Sequence, residues 1–126
     1  MTAAYLLDTN VITAVLKRDP CVLEQLRAKL RANCRILISA VVYYEIKRGL
    51  LKRDAMRQLA DFEEMARHWM WLDVQRAHWE AAAAQWAMCR NAGVAVNDAD
   101  LLLAIQARLA QAIVVTNDGD FRHFDV

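Results

Sequence analysis

The chain has 126 residues, of which 57 % are hydrophobic, with three Gly and one Pro. That length fits a single domain spanning residues 1–126, and the composition excludes a disordered or collagen-like chain. The net charge of +1 says nothing about nucleic acid, but residues 17–57 hold eleven Lys/Arg against four acids, leaving an acidic remainder. Such runs are more often solvated helix faces; a basic flank beside an acidic remainder would also suit a phosphate backbone and metal ions. Cys21, Cys34 and Cys89 are odd in number and lack CxxC spacing, so they read as buried, reduced thiols of a cytoplasmic protein. MTAAYLLDTN has no basic leader region, and the Ala-rich stretch near residues 81–87 is broken by polar residues, so neither a signal peptide nor a membrane span is expected.

Tyr5-Leu6-Leu7 is a short apolar run predicting a buried strand, and Asp8-Thr9-Asn10 supplies N-cap chemistry for a helical segment from Val11 to Leu16. Pro20 suits the first turn of a helix over 20–33, with Val22, Leu23, Leu26 and Leu30 on one face. Ile36-Leu37-Ile38 predicts a second strand, and Ser39 caps a helix from Ala40 to Leu50 with Gly49 near its end. An amphipathic helix over 52–67 follows, with Met56, Leu59, Phe62 and Met65 on its apolar face. Alternation over Trp69 to Val74 predicts a third strand, and an Ala-rich helix over 76–91 stops near Gly93. Asn97-Asp98 caps a helix carrying Leu101, Leu102, Ile105 and Leu109, and Ile113-Val114-Val115 is a fourth strand leading to the turn Asn117-Asp118-Gly119-Asp120. Short apolar strands separated by helices predict a parallel sheet covered on both faces, with right-handed crossovers.

Ligands of such sheets bind beyond the carboxyl ends of the strands. Asp8 ends the first strand, Asp118 and Asp120 follow the fourth, Glu45 lies in the helix after the second, and Asp98 and Asp100 open the helix leading to the fourth. All six can reach one edge. Clustered carboxylates repel one another, and oxygen-only ligand sets favour Mg²⁺ or Mn²⁺, which can activate water against a phosphodiester. Each acid also has a structural alternative: Asp8 as a helix cap, Glu45 paired with Arg48 or Lys17, Asp98 as a cap, and Asp118 and Asp120 as turn residues. His68, His78 and His123 show no ligand spacing. Trp79 and Trp86 share a helix face and Trp69 and Trp71 a strand face, which suits core or a subunit interface. Arg18, Lys47, Arg48 and Arg53 flank the acids in sequence, and Lys47 and Arg48 are candidates for phosphate contact.

Four segments carry a family resemblance: Leu6-Leu7-Asp8-Thr9-Asn10-Val11; Ile38-Ser39-Ala40-Val41-Val42-Tyr43-Tyr44-Glu45-Ile46 with Gly49; Asn97-Asp98-Ala99-Asp100-Leu101-Leu102-Leu103-Ala104; and Val114-Val115-Thr116-Asn117-Asp118-Gly119-Asp120-Phe121. In this order and spacing the sequence resembles PIN-domain ribonucleases, most closely the VapC-type toxins of VapBC toxin–antitoxin systems. The resemblance implies a three-layer α/β/α domain with a central, mainly parallel sheet of four to five strands. It implies a catalytic quartet of Asp8, Glu45, Asp100 and Asp118, with Asp120 as reserve for the fourth acid and Asp98 as a cap or auxiliary ligand. Asn10 and Thr116 would contact the acids or the substrate. It further implies Mg²⁺- or Mn²⁺-dependent endonucleolytic hydrolysis of RNA, a homodimer and a small VapB-like antitoxin. Two other readings stay open: a catalytically silent PIN fold that binds RNA or protein, and a phosphatase with Asp8 as nucleophile, although Asn10 stands where the latter needs a second Asp. Three scattered glycines form no phosphate-cradling loop.

Overall fold

A computed structural model describes residues 3–116. The order is β1 (Ala4–Leu7), α1 (Thr9–Leu16), α2 (Pro20–Arg31), β2 (Arg35–Ser39), α3 (Ala40–Lys52), α4 (Met56–Arg67), β3 (Met70–Leu72), α5 (Arg76–Asn91), α6 (Asp98–Ala110) and β4 (Ile113–Val115). The four strands form one sheet in the order β3-β2-β1-β4, and every pairing is parallel. Tyr5 lies between Ile36 and Ile113, and Leu37 is in register with Met70. The chain winds outward from β1 through β2 to β3, then returns to the other side of β1. The order therefore reverses between β1 and β4, which makes their carboxyl ends the place where such a sheet opens a crevice.

Burial follows from this arrangement. In the central strands Leu6, Leu7, Ile36, Leu37 and Ile38 are buried, as expected where helices cover both faces. Right-handed crossovers place α1–α4 on one face and α5–α6 on the other, a three-layer α/β/α fold. Phe62 of α4 and Leu101 to Ile105 of α6 complete the core. The edge strands are three residues long, with Met70, Trp71 and Ile113 exposed. The third strand is shorter than the alternation over 69–74 predicts, because the carbonyls of Leu72 and Asp73 turn to the Gln106 side chain.

Caps account for several boundaries. Asp19 accepts from the backbone of Cys21 and Val22, with Pro20 in the first turn of α2. Ser39 accepts from Val41 N at the start of α3. Gly49 lies inside α3, which runs on to Lys52, and the amphipathic helix after it begins at Met56 rather than at 52. The apolar face predicted for α2 contains no buried residue. Cys89 is buried, Cys34 half-buried and Cys21 exposed, which corrects the reading of all three as buried; the three are free thiols.

Arg18, Asn33, Asp54 and Gln111 all take the left-handed backbone conformation just past helix ends. That region costs an L-residue about 1–2 kcal/mol, and glycine avoids the cost at some expense in chain entropy. Exposed Asp54, at φ 54°, is the simplest to test. Asp54→Gly is expected to stabilise the fold by ~0.5 kcal/mol, seen as a higher urea midpoint at unchanged slope.

Candidate active site

Asp8 follows the last residue of β1, and its backbone N–H donates to Val115 O of β4 at 3.2 Å. Its side chain is the N-cap of α1: Oδ1 accepts from Val11 N at 2.9 Å, while Oδ2 accepts from the Thr116 hydroxyl. The residue is 5 % exposed. Such donors and the positive end of a helix favour the charged form of a buried carboxylate. The capping alternative for Asp8 and a role at the site are thus compatible.

Glu45, half-buried, sits one and a half turns into α3. Its Oε1 accepts from the hydroxyl of Thr9, the residue after Asp8, at 3.3 Å. The structure therefore brings Glu45 to the residue beside Asp8, and not to Arg48 or Lys17. Asp100 lies in the first turn of α6 and is half-buried; its N–H donates to Asn97 Oδ1 at 3.4 Å. Asn97 alone is the N-cap, so Asp98 is not a cap; it is exposed and borders a groove with Trp79 and Leu102. The two acids diverge, as positions two apart on a helix must. Asp118 and Asp120 lie outside the described residues. Among the described residues no group of three carboxylates, imidazoles or thiols is gathered to hold a metal ion. The acids at this edge do offer oxygen atoms alone, the donor chemistry of Mg²⁺ and Mn²⁺.

The polar candidates separate clearly. Thr116 reaches Asp8, whereas Asn10 is exposed on the second residue of α1. Lys47 points to α4, pairing with Glu63 at 2.9 Å and donating to the Tyr43 hydroxyl at 3.1 Å. The Arg48 guanidinium lies 4.9 Å from the Tyr44 ring centroid. Hydrogen bonding to Glu63, then to Tyr43, raises the Lys47 pKa. Hydrogen bonding to Lys47 lowers that of Glu63, more than burial opposes it. His78 serves a local purpose, its Nδ1 accepting from Gln75 N at the start of α5, and His68 is exposed beside Glu64.

One network escaped the sequence reading. Ser39 Oγ donates to Gln106 Oε1, and both residues are fully buried. The Gln106 amide donates in turn to Leu72 O at 3.3 Å and Asp73 O at 3.2 Å. This side chain joins the carboxyl ends of β2 and β3 to α6, the helix that carries Asp100. The available signal was a single Gln within the apolar run Leu101 to Ala107, where an amide requires partners. Thr9 was likewise passed over, although it bridges Asp8's neighbourhood to Glu45.

A model of the PIN-domain family matches residues 5–126. No curated protein sequence matches the chain. Among solved structures, it is similar to a chain in the structure of VapBC2 from Rickettsia felis bound to a promoter DNA fragment, at 22 % identity and TM-score 0.85, covering 96 % of this chain and 92 % of that one. It is similar to a chain of DNA-bound VapBC from Salmonella typhimurium at 26 % identity and TM-score 0.84, covering 97 % and 92 %. VapBC-1 from nontypeable Haemophilus influenzae gives 21 % identity and TM-score 0.80, covering 94 % and 90 %.

Two measurements test this geometry. Gln106→Leu strands the Ser39 hydroxyl and two carbonyls, so urea unfolding should show a loss of about 1–3 kcal/mol. The lowered Glu63 pKa contributes stability above the ordinary carboxylate range, lost as pH falls through the folded value. Raised Lys47 contributes at all pH below its ordinary value, and that contribution fades in strong alkali. Glu63→Gln should therefore melt below wild type at neutral pH, the gap closing below about pH 4.

Proposed function

The chain belongs to the PIN-domain family, and from that premise we propose that it is a metal-dependent endoribonuclease, the toxin of a type II toxin–antitoxin pair. The observation that carries the reading is Asp8 at the reversal point of a parallel sheet, held by Thr116, with its chain neighbour Thr9 hydrogen-bonded to Glu45.

On this reading Asp8, Glu45 and Asp100, with Asp118 or Asp120 as fourth acid, would hold Mg²⁺ or Mn²⁺, Asp98 being at most auxiliary. When bound, the cation supplies a water acidified enough to attack a phosphodiester and a counter-charge for the departing oxygen. The chain's own contribution is position. Val11 N–H and the Thr116 hydroxyl fix both oxygens of Asp8, and Thr9 orients Glu45. Thr116 and exposed Asn10 lie close enough to the acids in sequence to meet the RNA strand as well.

The partner proposals rest on surface chemistry and on the neighbours. Trp79 and Trp86 of α5 are 56 % and 44 % exposed and border an apolar groove with Leu101 and Leu102, which supports a homodimer. A second apolar groove of about 450 Å³, lined by Leu26, Leu30, Met65, Trp69 and Met70, supports docking of a small VapB-like antitoxin, as the VapBC neighbours suggest. Among the described residues no helix is long and apolar enough to cross a membrane. A cytoplasmic setting is proposed on the free thiols.

Asp8→Asn is the decisive variant, because Asn caps helices as well as Asp does and the fold should survive. RNA cleavage with Mg²⁺ or Mn²⁺ is expected to fall at least about 100-fold, and growth arrest on expression to disappear. Wild-type protein that binds RNA but never cuts it would favour the silent PIN module. An aspartyl-phosphate on Asp8 would favour the phosphatase.

A further inference from the structure

A narrow groove of about 130 Å³ runs between α1 and α3 and begins at Thr9 and Glu45. Its walls follow one helical period. Thr9, Thr13 and Lys17 form one side, and Glu45, Gly49 and Arg53 the other. Eight residues at 1.5 Å each put the Lys17 and Arg53 backbones about 12 Å along their helices from Thr9 and Glu45, and the Arg53 side chain reaches back toward Gly49, so the cations lie within a few nucleotides of one strand from the acid. On the α3 wall the Arg53 guanidinium lies over Gly49, where a Cβ would meet one of its terminal nitrogens at 3.7 Å, an ordinary contact.

Lys47 is engaged by Glu63 and Tyr43. Lys17 and Arg53 are exposed, line the groove, and form no ion pair among the described residues. The cleft is too small for a helix or a large apolar anchor, and its far end is cationic. We propose that Lys17 and Arg53 form a phosphate seat, which holds the backbone of a single RNA strand a few nucleotides from the bond at the acidic rim. The seat rests on the nuclease reading above and adds its substrate register; it acts on binding and leaves the bond-breaking step unchanged.

The test is fluorescence anisotropy of a 5′-labelled dodecauridylate with the full-length protein in EDTA, where nothing is cut. Lys17→Gln/Arg53→Gln should weaken binding about tenfold at about 0.1 M salt and reduce the salt slope by about one. Lys17→Arg/Arg53→Lys should retain binding, as should the charge-matched Arg67→Gln/Arg76→Gln. Equal melting temperatures would show that the folds are intact. With metal restored, KM for RNA should rise at unchanged kcat. The seat is overturned if the Gln pair binds with wild-type affinity and slope, if the charge-matched pair weakens binding equally, or if the Gln pair loses only affinity for a protein partner. Failure of the wild-type protein to bind RNA at all would instead overturn the nuclease reading, and the seat with it.

Discussion

A carboxylate fixed at the end of the central strand is the constraint around which this fold is arranged. Asp8 is 5 % exposed, and burial at that depth opposes its charge. Three elements meet the cost together. β1 delivers Asp8 to the sheet edge, α1 begins on it and supplies Val11 N–H, and β4 leads into Thr116, whose hydroxyl donates to it. Only a sheet whose strand order reverses beside β1 can put the residue after β4 next to the residue after β1. The topology is thus what permits a buried acid to face the crevice.

Much of this was legible in the sequence because the signals were local. Apolar triplets marked the strands, and Asp8, Ser39 and Asn97 by their capping chemistry, with Pro20 by its fixed φ, marked helix starts. Their parallel order followed from the helices between them. The Ser39–Gln106 link was not legible, since its partners are 67 residues apart and no short-range pattern names an amide's acceptors. The same link ends β3 early by taking the Leu72 and Asp73 carbonyls. Proximity in sequence did not show where Lys47 points: it lies two residues from Glu45, but that spacing turns it to another face of α3, toward Glu63.

That division of positive charge has a physical logic. A cation next to Glu45 would compete with any metal ion for the acid. Lys47 is instead consumed in joining α3 to α4 through Glu63 and Tyr43, a structural use that fixes the helix bearing Glu45. Lys17 and Arg53 line the groove and pair with no acid among the described residues, which on the proposed reading leaves their charge for a phosphate.

The rim also depends on helix ends. α1, α3 and α6 all begin at this edge, capped by Asp8, Ser39 and Asn97, and Gln106 ties the third to the end of the second strand. Their exposed N–H groups give the edge a partial positive potential that falls away within about one turn. Asp8, as a cap, and Asp100, in a first turn, lie within that range. Glu45, in the second turn of α3, lies beyond it and has the Thr9 hydroxyl instead, a neutral donor at 3.3 Å. The three acids are therefore held by different means, two at helix ends and one by a side-chain hydroxyl. On the nuclease reading, a hard cation at the rim would meet in Glu45 a carboxylate that no helix end faces.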